Sequence, residues 1–207
     1  MTIIVVGGHS RKIGKTSVAA GLIAAFPDYS WTAMKISPHE HRTDSKNSGQ
    51  GESIDEKLPY LIHEETNLDG CTDTSRFLLA GARRSLWVRV KPDKLLLALP
   101  QLQLIMRSDR FVIIESNSIL RHFRPDLYII VLKFDVEDFK DSAWETLKQA
   151  DAAIVINSGL ARPVWKTVPP DVLMQIPLFP TTNPGIVPPG LLELVKSRLK
   201  PQVPDVL

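Results

Sequence analysis

The sequence has little that would indicate an extracellular, membrane-bound or nucleic-acid-binding protein. It contains one cysteine, Cys71, which excludes an internal disulfide and gives no cysteine-built metal site. No apolar run approaches the roughly 20 residues that span a bilayer, and the strand-like start leaves no room for a signal peptide. With 25 Lys and Arg against 23 Asp and Glu, no charge excess favours nucleic acid or an anionic membrane. We therefore expect a cytoplasmic protein that binds neither.

Apolar segments typical of strands alternate with helical segments along the 207 residues. The run "TIIVVGG" (2–8) is continuously apolar, as in a strand buried on both faces. The other predicted strands are 30–37, 60–66, 85–90, 110–116, 126–133, 152–157 and 175–180, and the predicted helices are 15–26, 74–82, 92–108 and 190–200. This alternation predicts an α/β fold with a doubly wound, mostly parallel sheet flanked by helices.

The length suits a single domain covering residues 1–207, with a sizeable core. Residues from about 38 to 58 are polar and have no period, so we predict a mobile loop there. Residues from about 201 to 207 are proline-rich and are predicted to be a loose tail. Pro92 is predicted at the start of its helix, and Asp73 is a candidate N-cap for the helix that follows it.

The segment "VVGGHSRKIGKTSVAAGLI" (5–23) carries the Gly-Lys-Thr triplet of a phosphate-binding loop, or P-loop. The usual spacing, G-x-x-x-x-G-K-[ST], would put the first glycine at position 9, which is His9. The nearest glycine is Gly8, so the loop has one extra residue. Since the segment follows an apolar strand and opens a predicted helix, its context favours a true P-loop over a plain glycine-rich turn.

Each part of this segment has a chemical reason. Glycines let the backbone curl until its N–H groups approach phosphate oxygens, and the N-terminus of the next helix adds partial positive charge. Lys15 would lie between the β- and γ-phosphates, and the Thr16 hydroxyl would hold Mg²⁺. We expect the His9 side chain to point outward. The residues predicted to bind nucleotide here are Gly8, His9, Ser10, Arg11, Lys12, Ile13, Gly14, Lys15, Thr16 and Ser17.

Two segments resemble known families. The spacing from Gly8 to Thr16 is similar to the loop of dethiobiotin synthetase, a member of the SIMIBI class, which includes the signal-recognition and MinD-type ATPases. The segment "DTSRFLLAGA" (73–82) resembles the Asp-[Ser/Thr]-x-Arg…Ala-Gly-Ala element of the molybdopterin-guanine dinucleotide biosynthesis protein B (MobB) family. The segments "TAMKISPHEH" and "FVIIESNS" are also similar to that family. The resemblance as a whole covers roughly residues 2–160. The chain differs in its longer loop and in having Ser116, not Gly, after Glu115.

Three further side chains are candidates for catalysis or metal binding. Glu115 ends the apolar strand "FVIIE", and a buried strand rarely ends in a carboxylate that has no partner. We interpret it as a magnesium ligand, against a surface carboxylate at a strand exit. Both resemblances imply a magnesium-facing Asp near Asp73, which is compatible with a capping role. Lys35 ends a strand where both families have a Lys, and a cation there would neutralise charge on the γ-phosphate. The predicted catalytic residues are Lys15, Lys35 and Glu115, and the metal ligands are Thr16, Asp73 and Glu115.

The nucleotide base is predicted less directly. Guanine-specific P-loop proteins have an Asn-Lys-x-Asp motif after a strand, and neither "NSGL" (157–160) nor "LKFD" (132–135) completes it. The resemblance to dethiobiotin synthetase implies that Asn157 lies near adenine. We therefore favour ATP over GTP.

The sequence leaves three functions open. The first is a Mg²⁺-dependent NTPase with slow hydrolysis, which helps to make or deliver a molybdopterin-type cofactor and acts with a partner enzyme. The second is a ligase or kinase similar to dethiobiotin synthetase, which phosphorylates the carboxylate of a small-molecule substrate. The third is a nucleotide-binding module without turnover. The resemblance also implies a homodimer.

Overall fold

The computed structural model describes residues 1–38, 58–166, 168 and 170–199. Eight strands lie in one sheet. They are β1 (Thr2–Gly8), β2 (Thr32–Pro38), β3 (Tyr60–Glu64), β4 (Arg84–Val90), β5 (Phe111–Glu115), β6 (Leu127–Lys133), β7 (Ala152–Ile156) and β8 (Leu178–Thr181). Every predicted strand is therefore present, with ends that shift by a few residues at most. The predicted mobile loop at about 38–58, except for its two end residues, and the predicted tail at about 201–207 lie outside the described residues.

The helices are α1 (Lys15–Ala25), α2 (Asp73–Leu79), α3 (Leu95–Arg107), α4 (Asp141–Leu147), α5 (Pro170–Met174) and α6 (Pro189–Arg198). Two 3₁₀ helices cover Pro27–Tyr29 and Ser118–Arg121. Among the described residues, no helix combines the length and apolar character that crossing a membrane would require.

The strand order β3-β4-β2-β5-β1-β6-β7-β8 gives a doubly wound sheet. All neighbours are parallel except the edge strand β3, which is antiparallel to β4. One face of the sheet packs against buried residues of α1, α2 and α6, and the other against α3, α4 and α5. Both faces are covered, which explains why the central strands are continuously apolar. The α/β prediction is confirmed.

Two predicted helix starts are wrong. The N-cap of α2 is Thr72, not Asp73: the Thr72 hydroxyl accepts from the Ser75 N–H, and the Ser75 hydroxyl accepts from the Thr72 N–H. This reciprocal pair satisfies two N–H groups and displaces the cap by one residue. Helix α3 begins at Leu95 rather than Pro92, because Asp93 adopts a left-handed turn conformation with φ 58°.

The sheet order brings the carboxyl ends of β1, β2 and β5 side by side. Six residues separate α1 from β1, and α2 begins near the same edge, because it packs on α1, β2 and β4. In open parallel sheets, ligands bind in the crevice at the carboxyl ends of the strands. The fold therefore gathers predicted site residues from four separate segments, namely 8–17, Lys35, Asp73 and Glu115.

Candidate functional site

A cavity of about 590 Å³ lies at this edge of the sheet. Its walls come from Gly8, from 10–17, from 35–38, from 115–118 and from four more distant side chains. Those four are Asp73, Arg76, Lys140 and Ser142. Twelve of the fourteen predicted site residues, including Asp73, line this cavity, and the other two, His9 and Asn157, do not. The volume is typical of small-molecule sites.

The loop between β1 and α1 curls through two left-handed residues. Gly14 has φ 97°, and Lys12 has φ 56°. A Cβ on Gly14 would lie 2.8 Å from the Pro184 side chain, so this position needs glycine for space as well as for conformation. The Gly14 carbonyl accepts the first helical bond, from the Val18 N–H at 2.9 Å. The N–H groups of 15–17 thus form the first turn of α1, where no intrahelical acceptor exists for them.

Lys15 folds back over this loop. Its Nζ donates to the Ser10 carbonyl oxygen at 2.5 Å. Burial disfavours the ammonium and lowers the pKa of Lys15 to about 8, although Glu115 opposes this effect. The Lys15 ammonium now donates to a neutral carbonyl oxygen. Because hydrogen bonds between two charged groups are stronger, an anion that enters the cavity would bind this buried cation more tightly than the carbonyl does.

Two carboxylates and a lysine form a network beside Lys15. The Thr16 hydroxyl donates to Glu115 Oε2 at 2.7 Å, and Lys35 Nζ donates to Glu115 Oε1 at 2.8 Å. Lys35 also pairs with Asp73 Oδ2 at 2.6 Å. Burial opposes the Lys35 charge, but the two carboxylates outweigh it and raise the pKa of Lys35. Burial likewise opposes ionisation of Asp73, and Lys35 outweighs it, so the pKa of Asp73 is lowered.

The donor atoms of this network fit Mg²⁺. The ion prefers oxygen ligands and is usually held by one or two carboxylates together with phosphate oxygens and water. Glu115 and Thr16 supply such oxygens 2.7 Å apart, and Asp73 lies across Lys35 from Glu115. Among the residues that the structure describes, no three His, Cys, Asp or Glu side chains cluster as a metal site.

The other loop residues have different surroundings. Arg11 and Lys12 are exposed at the cavity mouth, whereas the Ile13 side chain is buried in the core between α1 and the sheet. The Ser10 hydroxyl donates to Asp138 Oδ2 at 2.5 Å. The Ser17 hydroxyl accepts from Arg76 at 2.9 Å, so α1 and α2 are tied together at the cavity.

The expectation that His9 points outward is wrong. Its side chain is fully buried, with 0% exposed, and its backbone N–H donates to the Val131 carbonyl oxygen at 3.3 Å. The ring centroid lies 5.2 Å from that of Phe139 and 5.1 Å from that of Trp165. An aromatic pocket thus takes up the residue that the lengthened loop adds, and neither its ring nor its amide faces the cavity.

Sequence reasoning missed Asn117. Its Oδ1 accepts from the Gly8 N–H at 2.8 Å, and its Nδ2 donates to the Gly8 carbonyl oxygen at 2.8 Å. The Gly8 amide is therefore already bonded, contrary to the expectation that it approaches phosphate. A Cβ on Gly7 would lie 2.5 Å from Asn117 Oδ1, so the side chain needs a glycine beneath it. The only signal in the sequence was the polar "SNS" after Glu115.

Asn157 lies outside the main cavity. It lines a second cavity of about 370 Å³ together with Thr181, Ile186 and three prolines, and its Oδ1 accepts from the Gly159 N–H at 2.7 Å. The segment 180–189, which contributes most of this second cavity, also contains Pro184, whose side chain lies beside Gly14. Asn157 itself is not part of the phosphate-facing wall.

Comparison with known proteins gives two remote likenesses. No protein-family model and no curated protein matches the chain. Among solved structures, it is similar to MobB of Bacillus subtilis, at 16% identity and a TM-score of 0.40, over 98% of this chain and 100% of that one. It is also similar to LpxK of Aquifex aeolicus in complex with ATP, at 17% identity and a TM-score of 0.44, over 93% of this chain and 60% of that one. Likenesses this remote do not establish a function, so a function for this chain has to come from the geometry of its own residues.

Proposed function

We propose that the protein binds a nucleoside triphosphate together with Mg²⁺ in the 590 Å³ cavity. One observation carries the proposal: Lys15, Thr16, Lys35 and Glu115 converge at the N-terminus of α1, where Thr16 and Lys35 both contact Glu115 within 2.8 Å. Helix N-termini favour phosphate because their N–H groups and dipole point at the anion. A cation, a hydroxyl and a carboxylate at one such terminus are the parts that phosphoryl-transfer sites share.

Each residue of the network has a separate role. The backbone from 10 to 17 cradles the phosphates, and Lys15 exchanges the Ser10 carbonyl for the β- and γ-phosphate oxygens. Thr16 and Glu115, with Asp73, would hold Mg²⁺, and the ion would neutralise phosphate charge there. Lys35 shifts from the carboxylates toward the γ-phosphate as charge develops there.

We favour ATP as the nucleotide. The Asn-Lys-x-Asp pattern for guanine is incomplete both at 132–135 and at 157–160. The second cavity, beside Pro184 and Gly14, is the candidate for the base. In this proposal, Asn157 gives up its bond to the Gly159 N–H and uses its amide to recognise adenine.

The proposed reaction is slow hydrolysis. A water oxygen bonds to the γ-phosphorus while the bond from that phosphorus to the β–γ bridging oxygen breaks. The water proton passes to solvent, and the products are the nucleoside diphosphate and inorganic phosphate. The biological task would be accessory, namely helping to make or deliver a molybdopterin-type cofactor with a partner enzyme. The "DTSRFLLAGA" resemblance supports this task, since α2 places Asp73 and Arg76 of that segment at the cavity.

The second candidate is transfer of the γ-phosphate to a substrate carboxylate. The loop spacing favours it, as does a cavity that extends past the phosphate loop to Ser37, Ser118 and Ser142. Phosphate release measured with and without 7,8-diaminopelargonic acid and bicarbonate separates the two. Strong stimulation would contradict the accessory role, and no release with intact binding would leave a binding module.

Titration calorimetry with ATP and GTP, with and without Mg²⁺, tests the proposal directly. Replacing Lys15→Ala removes a charge-assisted contact of about 1.5–3 kcal/mol, so affinity should fall at least about tenfold. The matched control is Lys148→Ala, because Lys148 is exposed at the end of α4 and outside both cavities. Equal affinity for wild type and Lys15→Ala would defeat the assignment.

A further inference from the structure

We propose that Lys140 is a further phosphate-binding residue. It is the last residue of the segment 133–140, and His9 holds this segment in place beside the cavity. The inference rests on the proposed function, since it assigns an additional cation to the same nucleotide. Lys140 follows β6 in the chain and precedes α4, so it approaches the phosphate loop from the side opposite Lys35.

Lys140 lies on the wall of the cavity with Lys15 and Lys35. Its charge acts on the same point: it is one of the cations that oppose protonation of Lys15 and help to lower its pKa, after burial and Lys35. The carboxylates that counteract the repulsion between these cations, Glu115 and Asp73, are both paired with Lys35. A polyanion entering the cavity therefore meets more positive than negative charge on its walls.

His9 fixes the segment that carries Lys140 at both of its ends. The Lys133 N–H donates to His9 Nε2 at 3.0 Å, and His9 Nδ1 donates to the Asp138 carbonyl oxygen at 2.8 Å. The Lys140 N–H then donates to the His9 carbonyl oxygen at 2.9 Å. The ring also stacks on Phe139, at 5.2 Å between centroids. One residue of the phosphate loop thus contacts the first residue, the last residue and two others of the segment.

The extra residue of the loop gains a purpose from this arrangement. A loop of ordinary spacing would have its first glycine at position 9, which has no side chain for these bonds. Here Gly8 holds that role, and His9 turns its ring into the segment after β6. The position of Lys140 relative to Lys15 is therefore set within the phosphate loop itself, and binding need not order a separate element.

In this proposal, the Lys140 ammonium stabilises charge on the terminal phosphate. The triphosphate has its greatest charge density there, and charge develops at the γ-phosphate during transfer. A preorganised cation stabilises that charge without reorganising. Lys140 thus favours triphosphate over diphosphate, whereas the N–H groups of α1 bind both.

The test compares ATP and ADP affinities by titration calorimetry for wild type, Lys140→Met and Lys148→Met. Methionine keeps the apolar stem and removes the charge, and Lys148 gives the same charge change outside the cavity, at the other end of α4. For Lys140→Met we expect ATP affinity to fall about tenfold and ADP affinity to stay near wild type, since one charge-assisted contact is lost. Lys148→Met should match wild type for both ligands.

A cycle with His9→Phe tests the positioning role. Phenylalanine keeps the ring stacking and loses the hydrogen bonds. Introduced into wild type, His9→Phe should lower the ratio of ATP affinity to ADP affinity. Introduced into Lys140→Met, it should lower that ratio no further. Circular dichroism reports whether each variant folds. An unchanged ATP to ADP ratio in folded Lys140→Met overturns the inference while the proposed function stands. Absence of nucleotide binding by wild type defeats the proposed function, and the inference with it.

Discussion

Asn117 acts at the scale of single atoms, because its amide group satisfies both the N–H and the carbonyl of Gly8. Replacing Asn117→Ala leaves these two backbone groups without partners in a partly buried place. Since an orphaned polar group costs about 1–3 kcal/mol, we expect a loss of that size in the free energy of unfolding by urea. ATP affinity should fall as well, because the first turn of the phosphate loop is no longer held.

The matched variant is Asn117→Asp, which keeps an acceptor for the Gly8 N–H and places a second oxygen against the Gly8 carbonyl. We expect it to be no more stable than Asn117→Ala, because two acceptors then face each other. Wild-type stability in Asn117→Ala would show that water replaces the amide, and that the clamp contributes nothing.

His9 gives stability a defined dependence on pH. Burial lowers its pKa below the usual 6.5, outweighing its backbone hydrogen bonds. The unfolded chain therefore binds more protons than the folded one in this range, so stability is fully present above pH 6.5 and is lost as the pH falls through the folded pKa. Protonation also removes the acceptor of the Lys133 N–H.

We expect urea unfolding to give a lower free energy at pH 5.5 than at pH 7.5, and His9→Phe to flatten that difference. His63→Gln is the control, because His63 is exposed on β3. The same slope in His9→Phe and wild type would contradict this role of His9, since other groups would then have to cause it.

At the scale of elements, Glu65 and Thr72 set the start of α2. The buried Glu65 carboxylate accepts from the N–H groups of Thr66 and Asn67 and from the hydroxyls of Thr72 and Thr74. Burial alone would raise the pKa of Glu65, but these donors outweigh it and lower the pKa. The bonds fix the first turn of the helix that presents Asp73 to Lys35.

Replacing Thr72→Ala removes both the N-cap and a donor to Glu65. An N-cap contributes about 1 kcal/mol, so thermal and urea unfolding should show a loss of at least that size. Thr72→Ser keeps the hydroxyl and should stay close to wild type. We also expect Thr72→Ala to weaken the Mg²⁺ dependence of ATP binding, because Asp73 follows the cap directly. Equal losses in both variants would refute the capping role.

The strands could be predicted because their signal is local and strong. Continuous apolar runs such as 111–114 are typical of strands in a sheet that is covered on both faces. Helix starts were predicted less well because the residues at the start of α2 offer several caps. The pair with Ser75 and the contact with Glu65 together select Thr72. Helices α4 and α5 were not predicted, since seven and five residues are too few to establish a helical period.

The site divides in the same way. Both Lys35 and Glu115 were recognised as polar residues that end apolar strands. They lie together because their parallel strands are neighbours and the two residues are directly paired in the register. The roles assigned to them stay predictions. The contacts of His9, Asn117 and Lys140 could not be predicted, since their partners lie 100 or more residues away in the chain and no motif specifies them. Such contacts arise only once the sheet has assembled.

At the scale of the whole molecule, the site combines segments that extend from Gly8 to Ser142 in the sequence. A ligand of this site therefore binds the folded chain and not the unfolded one. A ligand at 100 times its Kd then adds about 2.7 kcal/mol to the free energy of unfolding. For a chain of this length, that corresponds to a rise in Tm of about 5–10 °C. We expect this rise with ATP and Mg²⁺ in a thermal-shift measurement, and a smaller one with ATP and a chelator. Lys15→Ala should lose most of it at the same ATP concentration, whereas Lys148→Ala should keep it. Equal shifts for Lys15→Ala and wild type would mean that the nucleotide stabilises the protein from a place other than the phosphate loop.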